Sequence, residues 1–402
     1  MLRITDPNHL TPGAPFLSVG FRPFFLGAGL FSIVSVFSWT LAYGFNVTMP
    51  YQALPLAGWH GHEMIFGYAL AVIAGFLLTS VRNWTGKPTL SNIPLLGVFS
   101  CWLAARVLFS INAVVSLLPS ICADTVFVFA VFISLAAPLV RARQWHNFGL
   151  VLLLPVAGLG NILFGFAWWT GQEYLLYQGM KLGLFAVVLL ILIMGRRVIP
   201  FFIEKSVFEK SPAKTQGRIQ RFQPVWFDLA CLWGFVLFGA LEIFAVNDIA
   251  IIICCIGLLL LHGWRLLLWY HRGIWKHSLL WVLYVGYAWI VVALLLRVIL
   301  PNLNLGFLWL HALTYGGIGM VTIGMMARVV LGHTGRNVLQ PPKEMHFLFA
   351  LLCIGAIVRV FIPVLHFSAY SVWVGVSQWF WLCAFIGFVW VYLPFLVKAD
   401  VT

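Results

Sequence analysis

The sequence predicts an all-α polytopic membrane protein with about twelve transmembrane helices and both termini on the cytoplasmic side. Three observations carry this. Of the 402 residues, 62% are hydrophobic and only 9% are charged, where a soluble domain carries roughly 25% charged residues. The apolar residues also come in long unbroken runs, such as Phe185 to Met194 and Ile249 to Leu261. Strands of a membrane barrel would alternate apolar and polar residues, so helices, which satisfy their own backbone hydrogen bonds in lipid, fit instead. Finally, Lys and Arg gather in every second connection between runs.

A span needs about 20 apolar residues at a rise of 1.5 Å each. On that length the chain divides into α1 at 21–45, α2 at 59–82, α3 at 92–111, α4 at 118–140, α5 at 147–169 and α6 at 174–202. Then follow α7 at 225–246, α8 at 249–270, α9 at 277–299, α10 at 306–331, α11 at 345–366 and α12 at 370–396. Most connections are short. The long one, 204–224, is polar and basic and divides six helices from six within one integral membrane domain, 1–402.

One set of connections holds Arg82 and Lys87, Arg141 and Arg143, Lys205, Lys210, Lys214, Arg218 and Arg221, Arg272 and Lys276, then Arg336 and Lys343. The other set, including 46–58, 112–117, 170–173, 247–248 and 367–369, holds none. Basic residues stay on the cytoplasmic side. With Arg3 and Lys398 the alternation places both ends on the cytoplasmic side. The net charge of +13 therefore reflects topology and lipid contact, not a nucleic-acid partner. The seven cysteines are scattered and form no CxxCH, so no covalently attached c-type haem is signalled. Met1 to Ser18 is short, polar and proline-bearing, unlike a cleavable signal peptide.

Orientation converts to depth. Both α2 and α10 enter from the outer side, so His60, His62 and His311 lie at similar depth near that face. His333 is about 33 Å from His311 along the helix and belongs to the opposite side. Trp59-His60-Gly61-His62-Glu63-Met64 opens α2. Ionisable side chains inside a span are costly and often functional, and imidazole is a common metal ligand. Histidines two apart on a helix point about 200° apart, so His60 and His62 face different surroundings unless the helix unwinds. An interfacial pair with wetted tips is the plainer alternative.

In α10, His311 is followed by Thr314, Gly316, Gly317 and Gly319. Such glycines admit a neighbouring helix or a flat cofactor. Sliding α2 onto α10 with His62 over His311 puts Gly67 on Gly316, Gly75 on Gly324, and Thr85-Gly86-Lys87 on Thr334-Gly335-Arg336. Two equivalent helices, each with a histidine at one level, match what a bis-histidine haem needs. Arg106, Arg297 and Arg359 sit near the outer ends of α3, α9 and α11, against the positive-inside trend. Haem propionates would partner them, with Asp124 and Glu242 as rival partners and plain ion pairing as the alternative. His146, His271, His277 and His346 fall at cytoplasmic helix ends. His366 lies at the outer end of α11, and His262 lies deeper in α8 without an obvious partner.

These residues resemble the NnrS family of bacterial haem- and copper-containing membrane proteins. The matching segments are Gly20-Phe-Arg-Pro-Phe-Phe25, His60-Gly-His-Glu-Met-Ile-Phe-Gly67, Ala74-Gly-Phe-Leu-Leu-Thr79 with Asn83-Trp-Thr-Gly86, and Gly195-Arg-Arg-Val-Ile-Pro-Phe-Phe202. His311-Ala-Leu-Thr314, Gly324-Met-Met-Ala-Arg328 and Leu331-Gly-His-Thr-Gly-Arg336 complete them. One departure is Tyr284, where the family's α9 often carries a histidine. A fainter resemblance is to the central subunit of haem–copper oxidases and nitric oxide reductases, whose α2 motif fits His60-Gly-His-Glu-Met-Ile-Phe66. With no histidine in α6 or α7, a full oxidase-type binuclear centre is not expected.

The resemblance implies a protein of nitric oxide metabolism or nitrosative-stress resistance, holding a b-type haem between α2 and α10 near the outer face. His311 supplies one axial ligand and His60 or His62 the other. The remaining α2 histidine, with Glu63, is the candidate for copper; His311 stays in the same ligand pool. A quinol or another donor would supply electrons if the protein turns over. The rivals are a twelve-helix secondary transporter, with Lys181, Arg297 and Glu242 as coupling residues, and a haem-based sensor or assembly factor without turnover.

Overall fold

The computed structural model describes residues 15–49, 54–112, 115–207, 224–245, 247–300 and 305–400. Arg3 and the loop cations Lys210, Lys214, Arg218 and Arg221 lie outside the described residues. Among those described there is no strand. Twelve helices are long and apolar enough to cross a membrane. They are α1 Phe21–Gly44, α2 Leu56–Thr85, α3 Asn92–Ser110, α4 Leu118–Arg141, α5 Trp145–Thr170 and α6 Glu173–Val207. The rest are α7 Val225–Phe244, α8 Asp248–Trp269, α9 Ser278–Ile299, α10 Leu308–His333, α11 Glu344–Leu365 and α12 Phe367–Val397. The protein is thus a polytopic helical membrane protein, as the apolar runs predict.

The largest boundary difference is in α6, which runs on to Val207 rather than ending near 202. Hydropathy marks where lipid ends, whereas the helix continues through Glu204 and Lys205 into the polar region. Helix ends elsewhere follow local chemistry. Gly86 closes α2 at φ 64° with its N–H on the Arg82 carbonyl, a left-handed cap that glycine adopts without strain. Asn247 opens α8, its side chain accepting the N–H groups of Ile249 and Ala250.

Large apolar side chains face outward in quantity, with Ile93, Leu365 and Trp390 each more than 80% exposed. In water such a surface would associate; around a membrane bundle it meets acyl chains. The twelve helices are unequally enclosed: 83% of the apolar window is buried in both α2 and α10, against 28% in α3 and α8. The helices carrying the candidate histidines are the inner ones.

The chain forms two compact units whose division cuts α6, α10 and α12 rather than following the 204–224 loop. The first comprises Met1–Val187, Met326–Asn337 and Phe385–Thr402. Its α1 lies tight on α2, because Gly75 leaves room for Phe24 and Phe25, which a side chain there would strike. Arg22, from the Gly20–Phe25 motif, donates to the carbonyls of Leu396 (2.9 Å) and Lys398 (2.8 Å) and pairs with Asp400. It ties the end of α12 to the start of α1. α5 and α6 meet backbone to backbone, since a Cβ on Gly160 would sit 2.7 Å from the Gly179 carbonyl oxygen.

The second unit comprises Val188–Met325 and Val338–Ala384. Asp228 of α7 pairs with Arg196 of α6 and Arg265 of α8. His262 Nδ1 of α8 lies 2.6 Å from the Tyr287 hydroxyl of α9, both side chains being buried. This corrects the expectation that His262 has no obvious partner. A tyrosine on the next helix partners its Nδ1, and no sequence spacing announces that pairing.

Candidate functional site

The two helix-2 histidines face different surroundings, as the 200° separation requires. His60 stacks on Trp39 of α1, ring centroids 4.4 Å apart. His62 is fully buried among Phe66, Phe109 and Phe164. Its Nε2 lies 2.9 Å from Asn161 Oδ1 and its Nδ1 lies 3.0 Å from Glu63 Oε1. The Asn161 amide is oriented by its own N–H groups, which donate to the Ile121 carbonyl (3.2 Å) and Thr125 Oγ1 (3.1 Å). Its oxygen therefore faces His62, and Nε2 of His62 must donate.

Arg106 completes this cluster. It bonds both Glu63 and Asp124, and all three side chains are buried. One guanidinium thus faces two carboxylates, with the His62 imidazole packed against one of them. Buried charges survive only in such mutual company. Gly67 makes the approach feasible, because a Cβ there would collide with the Arg106 guanidinium and the Phe31 ring. The Gly67 carbonyl accepts the Trp102 indole N–H at 2.8 Å, and Phe31 and Phe109 each lie against the cation.

In the second unit His311 has a different hydrogen-bond pattern. Arg359 Nη2 stands 2.9 Å from His311 Nε2. A guanidinium only donates, so Nε2 carries a lone pair and Nδ1 carries the proton. Nδ1 faces the Phe307 carbonyl one turn back at 3.3 Å. Arg359 also donates to Tyr370 Oη at 2.7 Å. Metal-bound imidazoles characteristically have one nitrogen anchored to a carbonyl and the other's lone pair directed outward. By this test His311 suits a haem iron, and Nε2 of His62 does not while Asn161 holds it.

The remaining expectations divide. Arg106 is held by Asp124, and Arg297 bonds Glu242 through Nε, with Asp248 4.0 Å away. The rival carboxylates read from the sequence are therefore their partners in the structure. Arg359 bonds His311 and Tyr370. The glycines after His311 are covered by side chains: a Cβ on Gly316 would meet Trp289, one on Gly317 would meet Ile290, and one on Gly319 would meet Trp381. They serve helix packing rather than a flat ligand. For copper the described residues contain no group of three or more His, Cys, Asp or Glu able to hold a metal ion.

Asn161 and Tyr370 escaped the sequence reading, since a neutral amide and a phenol carry no charge signal. The register of α2 on α10, by contrast, holds in three dimensions. Directly after each histidine the helix widens into π turns, Glu63–Ala69 after His62 and Ala312–Gly319 after His311. At the far ends Thr85 donates to the Val81 carbonyl and Thr334 to the Val330 carbonyl, both at 2.7 Å. Gly86 and Gly335 then both take positive φ. π turns are rare and concentrate at functional sites.

No curated protein matches the chain at a significant level. The family described as NnrS protein matches residues 15–399, and with nearly the whole chain covered the protein belongs to the NnrS family.

Proposed function

We propose that this protein is a haem-binding, multi-pass protein of the bacterial cytoplasmic membrane that serves in nitric oxide metabolism or resistance to nitrosative stress. Family membership fits a nitric oxide response protein in general terms; the haem and its ligands are the finer reading. The observation that carries it is the His311 ring, with Nδ1–H on the Phe307 carbonyl and the Nε2 lone pair on Arg359. Phe307 fixes the tautomer and ring angle, so the imidazole is oriented before any ligand arrives. Arg359 holds the lone pair in the absence of a metal and is the cation suited to a propionate when the lone pair is taken.

His60 is taken as the helix-2 ligand because both ring nitrogens of His62 are engaged, Nε2 by Asn161 and Nδ1 by Glu63. A b-type haem so held supplies an iron that binds nitric oxide and exchanges single electrons. Copper enters no step here: Glu63, its expected carboxylate, is engaged by Arg106 and His62.

The test is pigment and metal content of the purified full-length protein. The expected result is a Soret band that shifts when nitric oxide is added anaerobically. A colourless, iron-free protein would sink the haem reading and favour the transporter. Anaerobic consumption of nitric oxide with a supplied quinol would then separate an enzyme from a sensor or assembly factor.

A further inference from the structure

In the first unit a groove of about 330 Å³ opens where the α2–α3 connection meets the end of α4. Lys87 and Arg141 both line it, and no acidic residue is among its lining. Neither cation forms an ion pair among the described residues. The loop that carries Lys87 is set in place: the Lys87 N–H donates to Thr85 Oγ1 at 3.2 Å, and Thr89 Oγ1 donates to the Leu78 carbonyl at 2.7 Å. Gly86 turns the chain through positive φ just before it. The rest of the lining is largely apolar, with Pro88, Leu90 and Pro138.

Three span ends converge here, Thr85 of α2, Asn92 of α3 and Arg141 of α4. The groove therefore lies at the depth of lipid headgroups, on the Lys- and Arg-rich side of the bundle. We propose that it is a binding site for the phosphodiester of an anionic glycerophospholipid. The two cations supply the charge complement. The apolar lining suits the glycerol and upper acyl region, which free phosphate would leave uncovered. Basic pockets between span ends on the cytoplasmic side are suited to anionic headgroups.

The experiment is native mass spectrometry of the full-length protein released from detergent, with phosphatidylglycerol, phosphatidylcholine or inorganic phosphate added separately. Phosphatidylglycerol is expected to be retained in preference to phosphatidylcholine. Lys87→Gln should weaken that retention about fivefold, and Lys87→Gln with Arg141→Gln about thirtyfold, at roughly 1 kcal/mol per basic residue. Lys87→Arg should preserve it, and Lys276→Gln, on another connection, should leave it unchanged. Equal retention of the two lipids, or undiminished selectivity in a folded double variant, would overturn the proposal. Inorganic phosphate that binds alone and displaces the lipid would overturn its assignment to lipid. The wild-type comparison stands even if the double variant fails to fold.

Discussion

Arg106 and Arg359 occupy comparable places, each reaching from the following helix toward a histidine-bearing turn, yet their partners differ in charge. Arg106 faces two carboxylates, whereas Arg359 faces an imidazole and a phenol. The two carboxylates set the response to mutation at Arg106. Arg106→Met leaves Glu63 and Asp124 buried together without their cation, and should destabilise the fold by about 3–5 kcal/mol. The triple variant Arg106→Met, Glu63→Gln, Asp124→Asn removes all three charges and should lose markedly less. Unfolding followed by circular dichroism in detergent compares them; equal losses would show that the three groups are not coupled. Tyr287→Phe is expected to cost about 1–3 kcal/mol in the same assay, because it strips a buried imidazole nitrogen of its hydrogen-bond partner. Asp124 and Glu242 were legible in the sequence only as rival partners for the outer arginines as a group, since carboxylates are few and depth could be counted. Asn161 and Tyr287 were not, because neutral polar groups satisfy a buried partner without any spacing rule.

At the scale of elements, the helices were legible almost to their ends, because a lipid core imposes length and apolarity on every span. The π turns were not. Over seven or eight residues a sequence does not distinguish a 3.6-residue period from a wider one. Their placement directly after His62 and His311, in the register that aligns Gly67 with Gly316, gives the two helices the same local deformation. The glycines were harder to assign from sequence: Gly316, Gly317 and Gly319 admit side chains of neighbouring helices, while Gly160 admits a backbone. Gly160→Ala should therefore cost about 1–3 kcal/mol through overpacking that no rotamer relieves. Gly97→Ala, where nothing lies within 4 Å, should be neutral or stabilise by up to about 1 kcal/mol. A thermal shift series on the two variants reads the contrast, and equal effects would contradict the close approach of α5 and α6.

For the whole molecule, one pattern of loop charge organises the account. Read as an inside for the bundle, it carries both proposals above: His60, His62 and His311 toward the outer face, and Lys87 and Arg141 among inner headgroups. Single cysteines test it with a membrane-impermeant maleimide. Asn247→Cys should label in intact cells, and Lys276→Cys only after the membrane is opened. Reversed labelling would invert every depth assignment at once. The fold class and the enclosure of α2 and α10 stand apart from that question, because they follow from apolar runs and burial alone.

Whether His311 Nε2 binds iron is read from optical and electron paramagnetic resonance spectra of the purified protein and its His311→Ala variant. The expected result is a low-spin haem signal in the wild type and its loss or conversion in His311→Ala, with the folded helical content retained. A wild-type protein without haem, or a His311→Ala protein whose low-spin signal is unchanged, would contradict it.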